Sequence, residues 1–281
     1  MKLLTKTIGI LAMLLFLPAF GSGERLFAPG ADLWERWQKH DAASTATVDH
    51  SAWTALLKKH LNPASTGVAR LDYKTFAGSS ADRRALKGYL SLLARTPVSA
   101  LNRREQMAFW INLYNALTIE VVLDHYPVAS IRDIDISPGL LASGPWGKEL
   151  ITVEGENLTL NDIEHRILRP VWNDPRLHYA VNCASIGCPN LQPVAWTGAN
   201  LERTLDKAAR QYINDPRGVR IQGDKVVVSR IFDWFIKDFG NSEAKVLAHL
   251  KTFAEANLKA ELNRINDLDS TEYDWSLNDA R

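Results

Sequence analysis

Hydrophobic residues change their spacing several times along this chain, and each change predicts a different element. Trp53, Leu56, Leu57 and Leu61 recur at helical spacing behind Asp49, a residue type that caps helices, and Asn62-Pro63 ends the run. A second amphipathic helix opens at Ser80 or Asp82 and runs through Ala94, with Leu86, Tyr89, Leu90 and Leu93 on one face before Thr96-Pro97. A short amphipathic piece, residues 32–39, precedes both. The longest helix is predicted from about Asn102 to His125. Met107, Trp110, Ile111, Tyr114, Leu117, Ile119, Val121 and Val122 surround nearly its whole cylinder, as in a central, buried helix. Glu105, Asn112, Asn115 and Thr118 interrupt it.

Beyond Pro127 the period shortens. Residues 149–153 and 157–160 read as a hairpin around Glu154-Gly155-Glu156, and residues 219–221 and 226–228 as another across Gly223-Asp224. A short helix capped by Asn161 or Asp162 carries Ile163, His165 and Leu168. Leu177 to Asn182 reads as a strand, and residues 197–213, 230–239 and 242–262 as helices. The tail, residues 272–278, is expected to add a closing strand. Helices and hairpins segregate, so the expected class is α+β: helix-rich, with the long buried helix packed against a small, largely antiparallel sheet. Residues 22–99 read as an N-terminal helical region and 100–281 as the α+β core, without a sharp boundary.

One apolar run has no period. Ile8 to Leu17 is broken only by Gly9, follows Lys2 and Lys6, and precedes small residues, with Ala19 and Gly21 at −3/−1 spacing. It reads as a cleavable signal peptide over residues 1–21 and places the protein in the periplasm or outside the cell. A retained anchor is the alternative, but the run is shorter than the ~20 apolar residues of a span. No Cys follows it to carry a lipid. Loss of Lys2 and Lys6 with the leader takes the formal net charge from +1 to −1. That balance supports neither nucleic-acid binding nor a polybasic membrane grip, and no membrane span is expected after cleavage. Nine Trp is a high count, and most tryptophans simply pack.

The densest chemistry lies in His178-Tyr-Ala-Val-Asn-Cys183-Ala-Ser-Ile-Gly-Cys188-Pro-Asn190, which holds both cysteines and passes into a loop of small residues. Three readings compete: a local disulfide, which export permits; a nucleophilic thiol at Cys183 with a His base; and a metal site, for which two Cys and scattered His lack the usual ligand spacing. Spacing alone favours the disulfide. No cofactor is expected. Glu105 and Asn112 share a face two turns apart, and Asn112 and Asn115 are i, i+3 neighbours. Buried polar groups need partners. They either brace a loop, the commoner role, or orient an imidazole or stabilise an oxyanion beside Cys183. His165 is the better base. His178 lies five residues before Cys183, so a regular strand points the two to opposite faces. Ser185 and Cys188 complete the candidate set.

Phe-Trp-Ile-Asn-Leu-Tyr-Asn-Ala-Leu (109–117), Asp-Ile-Glu-His-Arg-Ile-Leu (162–168), Asn-Cys-Ala-Ser-Ile-Gly-Cys-Pro (182–189) and Tyr-Asp-Trp-Ser-Leu-Asn (273–278) resemble the domain of unknown function 547 family, in order, across about residues 100–278. The resemblance implies site positions at Glu105, Asn112, Asn115, His165 and Cys183, and an exported bacterial protein. It makes Cys183 the candidate for a role and Cys188 the candidate for local structure. The order of helix, strands, His and Cys invites a distant papain- or transglutaminase-like comparison. In those folds the Cys precedes the His, so linear correspondence fails. The leading expectation is a thiol-dependent hydrolase or acyl-transfer enzyme acting on a peptide or envelope amide or thioester. Cys183 attacks, His165 is base, and Glu105 or Asn112 orients the His. The alternative is a non-catalytic envelope binding or assembly protein with a structural Cys183–Cys188 disulfide.

Overall fold

A computed structural model describes residues 20, 28–64, 66–139 and 144–280. The predicted signal peptide lies outside these residues, Phe20 apart.

Asn102 opens the long helix α4 (Arg103–His125), its side chain accepting from the amides of Arg104 and Glu105. From Glu105 to Leu123 every residue of α4 except Glu120 is buried. A sequence apolar on all sides is stable only when covered on all sides. On one side the cover is α2 (Tyr73–Gly78) and α3 (Ser80–Arg95), and α1 (Ser51–His60) packs on these two. Ser79 caps α3, and Asp49 receives the Ser51 amide at the start of α1. The rest comes from the chain after Pro127, and one hydrophobic core runs from Trp37 to Leu277.

The fold is α+β and helix-rich, but its strands form three small sheets. Antiparallel β1 (Leu61–Asn62) and β2 (Arg70–Leu71) make the first. The predicted hairpins are β3 (Ile151–Val153) with β4 (Glu156–Leu158), and β5 (Val219–Gln222) with β6 (Lys225–Ser229). The closing strand, β7 (Ser270–Glu272), pairs with β6 in parallel. It begins earlier than predicted. Beyond it the tail makes two isolated bridges, Leu277 opposite Ser185 and Asp279 beside Leu71.

Three other expectations change. Residues 177–182 are not a strand. Asp174 caps a 3-10 helix over Pro175–Tyr179, with Pro175 at its first position, where its fixed φ suits a helix. The groups a strand partner would use are taken by Asn115, which donates to Ala180 O at 2.9 Å and accepts from Asn182 N at 2.8 Å. The helix expected over 242–262 is two, α8 (Glu243–Phe253) and α9 (Ala256–Leu262). Asn214, just past α6 (Leu201–Ile213), inserts its amide at the break, donating to Phe253 O and accepting from Glu255 N. Of 230–239 only α7 (Ile231–Trp234) is α-helical, and turns follow to Gly240.

Candidate functional site

A cleft of about 710 Å³ opens between the segment after β4, the cysteine loop and the C-terminal tail. Its aromatic wall is Trp146, Trp234, Tyr273 and Trp275, with ring centroids 4.7 to 5.8 Å apart. Tyr114 reaches the cleft from α4, and Glu164, His165, His178, Cys183 and Cys188 also line it.

Glu164 and His165 stand on a π-helix, Asp162–Leu168, which continues into α5 (Arg169–Trp172). Pro170 accounts for part of this. It has no N–H to give the Arg166 carbonyl, while Arg169 N bonds one residue further back than an α-helix allows, to Glu164 O. The released carbonyls of His165 and Arg166 accept instead from the amides of Asp32 and Trp34, each at 3.0 Å. The N-terminal segment is thereby tied to the cleft, which Ala28 and Pro29 also line.

Both histidines are buried and have fixed tautomers. Arg169 Nη1 donates to His165 Nδ1 at 2.9 Å. A guanidinium only donates, so Nδ1 carries the lone pair and Nε2 the proton. Burial pushes the His165 imidazolium down to about 4, Glu164 opposes this, and Arg169 and His178 add to it. Neutral His165 therefore offers a donor at Nε2, not the base expected of it. His178 has the opposite surroundings. Its Nε2 donates to Asp238 Oδ2 at 2.7 Å, and its ring stacks on Phe235 at 4.5 Å. Nδ1 has no partner among the described residues. Arg169 grips the same carboxylate, with Nε at 2.6 Å and Nη2 at 3.2 Å. Burial works to raise the Asp238 pKa, but the bonds from His178 and Arg169 outweigh it and hold the carboxyl well below the usual aspartate range. The strand-parity objection to His178 lapses, because there is no strand.

Cys183 and Cys188 are joined in a disulfide, their Cα atoms 6.2 Å apart. Cys183 is thus no free nucleophile here: its sulfur is already bonded. Ser185 is buried and donates to the Tyr273 hydroxyl at 3.1 Å, which lies 3.1 Å from each cysteine sulfur.

Glu105 and Asn112 do not reach this place. Asn112 donates to Trp196 O at 2.8 Å and accepts from Trp196 N at 3.1 Å, and Glu105 accepts from Gly198 N at 3.0 Å. They brace the loop before α6, where the backbone comes so close that a Cβ on Gly198 would lie 2.6 Å from Glu105 Oε1. Asn115 braces the entry to the cysteine loop in the same way. The residue orienting His165 is Arg169, four positions on along its own helix.

Arg169, Glu164 and Asp238 escaped the sequence reading. Glu164 sits inside a quoted motif, and Arg169 at i+4 from His165 was a readable signal. Asp238 meets His178 only across sixty residues of chain. Tyr273 belongs to the quoted tail motif, but nothing local linked it to the cysteines. Among the described residues no three His, Cys, Asp or Glu side chains are grouped to hold a metal, and no helix is long and apolar enough to cross a membrane.

The family described as protein of unknown function, DUF547, matches residues 98–213. Asp238 and Tyr273 lie beyond that span, although both complete the site built on it. No curated protein matches the chain and no solved structure does, so the papain- and transglutaminase-like comparison has no support. The buried α4, the π-helix with His165 and the disulfide loop all fall within residues 98–213, the part of the chain that is similar to the DUF547 family.

Proposed function

We propose that this protein is an exported binding protein of the bacterial envelope, whose cleft holds a peptide or a glycan fragment of the cell wall. The observation that carries the reading is the aromatic wall of Trp146, Trp234, Tyr273 and Trp275 in one cleft with Glu164 and His165. Flat rings offer large contact area at little loss of side-chain freedom, and a few polar groups orient what they hold. The bonded sulfurs leave no free thiol to act as the nucleophile of a hydrolase, and a disulfide fits an oxidising compartment. The leader-like N-terminus supports export. Wall peptides and oligosaccharides titrated against the purified chain should change its Trp emission and raise its melting temperature, and Trp234→Ala should abolish both responses. A full panel without response removes this reading. Fractionation and N-terminal sequencing of the expressed chain test export, with a start near residue 22 expected.

A second reading, hydrolysis, is favoured by one observation: Asp238 holds His178 Nε2 and leaves Nδ1 without a partner among the described residues, the arrangement of a general base. In this version His178 deprotonates water and His165 donates to the substrate oxygen. Turnover of any panel member that is lost in His178→Ala while its binding persists would establish it. Binding without turnover would dismiss it.

A further inference from the structure

The cysteine loop is held by much more than its disulfide. Ile186 N and Gly187 N bond the carbonyls of Ser276 and Asp274, each at 2.8 Å, and Asn278 N bonds Ala184 O at 3.0 Å. Tyr212 donates to Gly187 O at 2.6 Å, and Arg217 donates to both Ile186 O and Cys188 O. Asn182 closes the neck of the loop, donating to Pro189 O and accepting from Ala184 N. A bridge across so well-held a loop adds little order, yet both cysteines line the cleft.

The two sulfurs differ. Cys183 is partly exposed, whereas Cys188 is 4% exposed. Donors are already aimed at the buried one. Cys183 N–H points at Cys188 Sγ at 2.9 Å, and the Tyr273 hydroxyl lies 3.1 Å from it, as it does from Cys183 Sγ. Because that hydroxyl accepts from Ser185, its own hydrogen is available to a sulfur. Donors placed where charge will develop stabilise it without rearrangement, and a disulfide opens faster when its leaving thiolate is stabilised.

We propose that Cys183–Cys188 is a thiol–disulfide exchange site whose substrate is a dithiol entering through the cleft. A thiolate of the dithiol attacks Cys183 Sγ, a mixed disulfide forms, the bond between the cysteines breaks, and its electron pair leaves on Cys188 Sγ between Cys183 N–H and Tyr273 O–H. The second thiol of the substrate, as thiolate, then attacks its own sulfur in the mixed disulfide and releases Cys183 as thiolate. Each cysteine takes up one of the two protons the dithiol gives up. Two electrons pass to the protein, and the substrate departs as a disulfide.

Dithiothreitol serves as the dithiol probe on the folded, oxidised protein, with the products alkylated by iodoacetamide and weighed. Complete reduction with an unchanged circular dichroism spectrum is expected, and Tyr273→Phe should slow it roughly tenfold, the worth of about one hydrogen bond. A bond that resists dithiothreitol until denaturant is added overturns the proposal, and an unchanged rate in Tyr273→Phe overturns the part given to the hydroxyl. The order of attack is read separately with an aromatic disulfide reagent. Cys188→Ser, which keeps Cys183, should react about tenfold or more faster than Cys183→Ser, following the difference in exposure. Equal or reversed rates overturn the assignment of Cys183 as the attacked sulfur.

Discussion

At the scale of single residues, Arg169 ties two histidines to one carboxylate. It donates to His165 Nδ1, to both oxygens of Asp238 and to Pro29 O, and it is 6% exposed. Asp238 is the only acid among those partners, so Asp238→Asn leaves a buried guanidinium without its counter-charge. We expect a loss of about 3–5 kcal/mol in urea unfolding, the usual penalty for breaking a buried pair from one side. The acid dependence has a definite sign. The Asp238 carboxyl is held below its ordinary value, so its bonds stabilise the fold fully above about pH 4 and are lost progressively as pH falls below that. In Asp238→Asn the destabilisation by acid below pH ~4 should be shallower than in the wild type.

At the scale of elements, α4 works as a frame with two asparagine clamps. Asn115 satisfies Ala180 O and Asn182 N, and Asn112 satisfies both backbone groups of Trp196. Replacing either Asn by Leu keeps the volume apolar but strands two backbone groups, and each change should cost about 2–4 kcal/mol by denaturant titration. The two should differ in effect. Asn115→Leu loosens the neck of the cysteine loop and should speed reduction of the disulfide, whereas Asn112→Leu acts on the loop before α6 and should leave that rate unchanged. The disulfide closes only a short loop, so Cys183→Ser with Cys188→Ser should cost no more than about 2 kcal/mol and leave the near-ultraviolet spectrum of the cleft tryptophans in place. Collapse of that spectrum would mean the bridge, and not Arg217 and Tyr212, holds the loop.

At the scale of the whole molecule, buried neutral histidines make stability depend on pH well above the carboxylate range. Burial pushes His50, His165 and His249 each down to about 4. Unfolded, each titrates near 6.5, so unfolding takes up protons between about pH 6.5 and pH 4. Stability is greatest above this window and falls as pH drops through it, by about 1.4 kcal/mol per pH unit for each proton taken up. Melting temperatures from pH 7.5 to 4.5 should decline steadily, and a flat profile would show that these rings are not held neutral. His50 makes the point without any bearing on the cleft: Nδ1 meets the Tyr89 hydroxyl at 2.6 Å, and Nε2 is buried with no partner among the described residues.

The sequence by itself determined what local geometry can determine. An apolar cylinder from Asn102 to His125 has to be buried, alternation around Gly155 and Gly223 makes hairpins, and two cysteines five positions apart lie within reach of one another. Those patterns follow from 3.6 and 2 residues per repeat and need no knowledge of the rest of the chain. Periodicity says nothing of where a backbone group finds its partner. For that reason the reading failed at residues 177–182, whose hydrogen bonds go to Asn115, and at Ala254-Glu255, where Asn214 intervenes. The same limit governed the site. Side chains with chemistry were legible by type, and so Cys183, His165 and His178 were named. Which of them meet was decided by packing: Asp238 arrives from beyond α7, Tyr273 from the tail, and the amides of residues 32 and 34 from the N-terminus. Only the tertiary structure assigned the protons, because a histidine's tautomer is set by the group that happens to face it, a guanidinium for His165 and a carboxylate for His178.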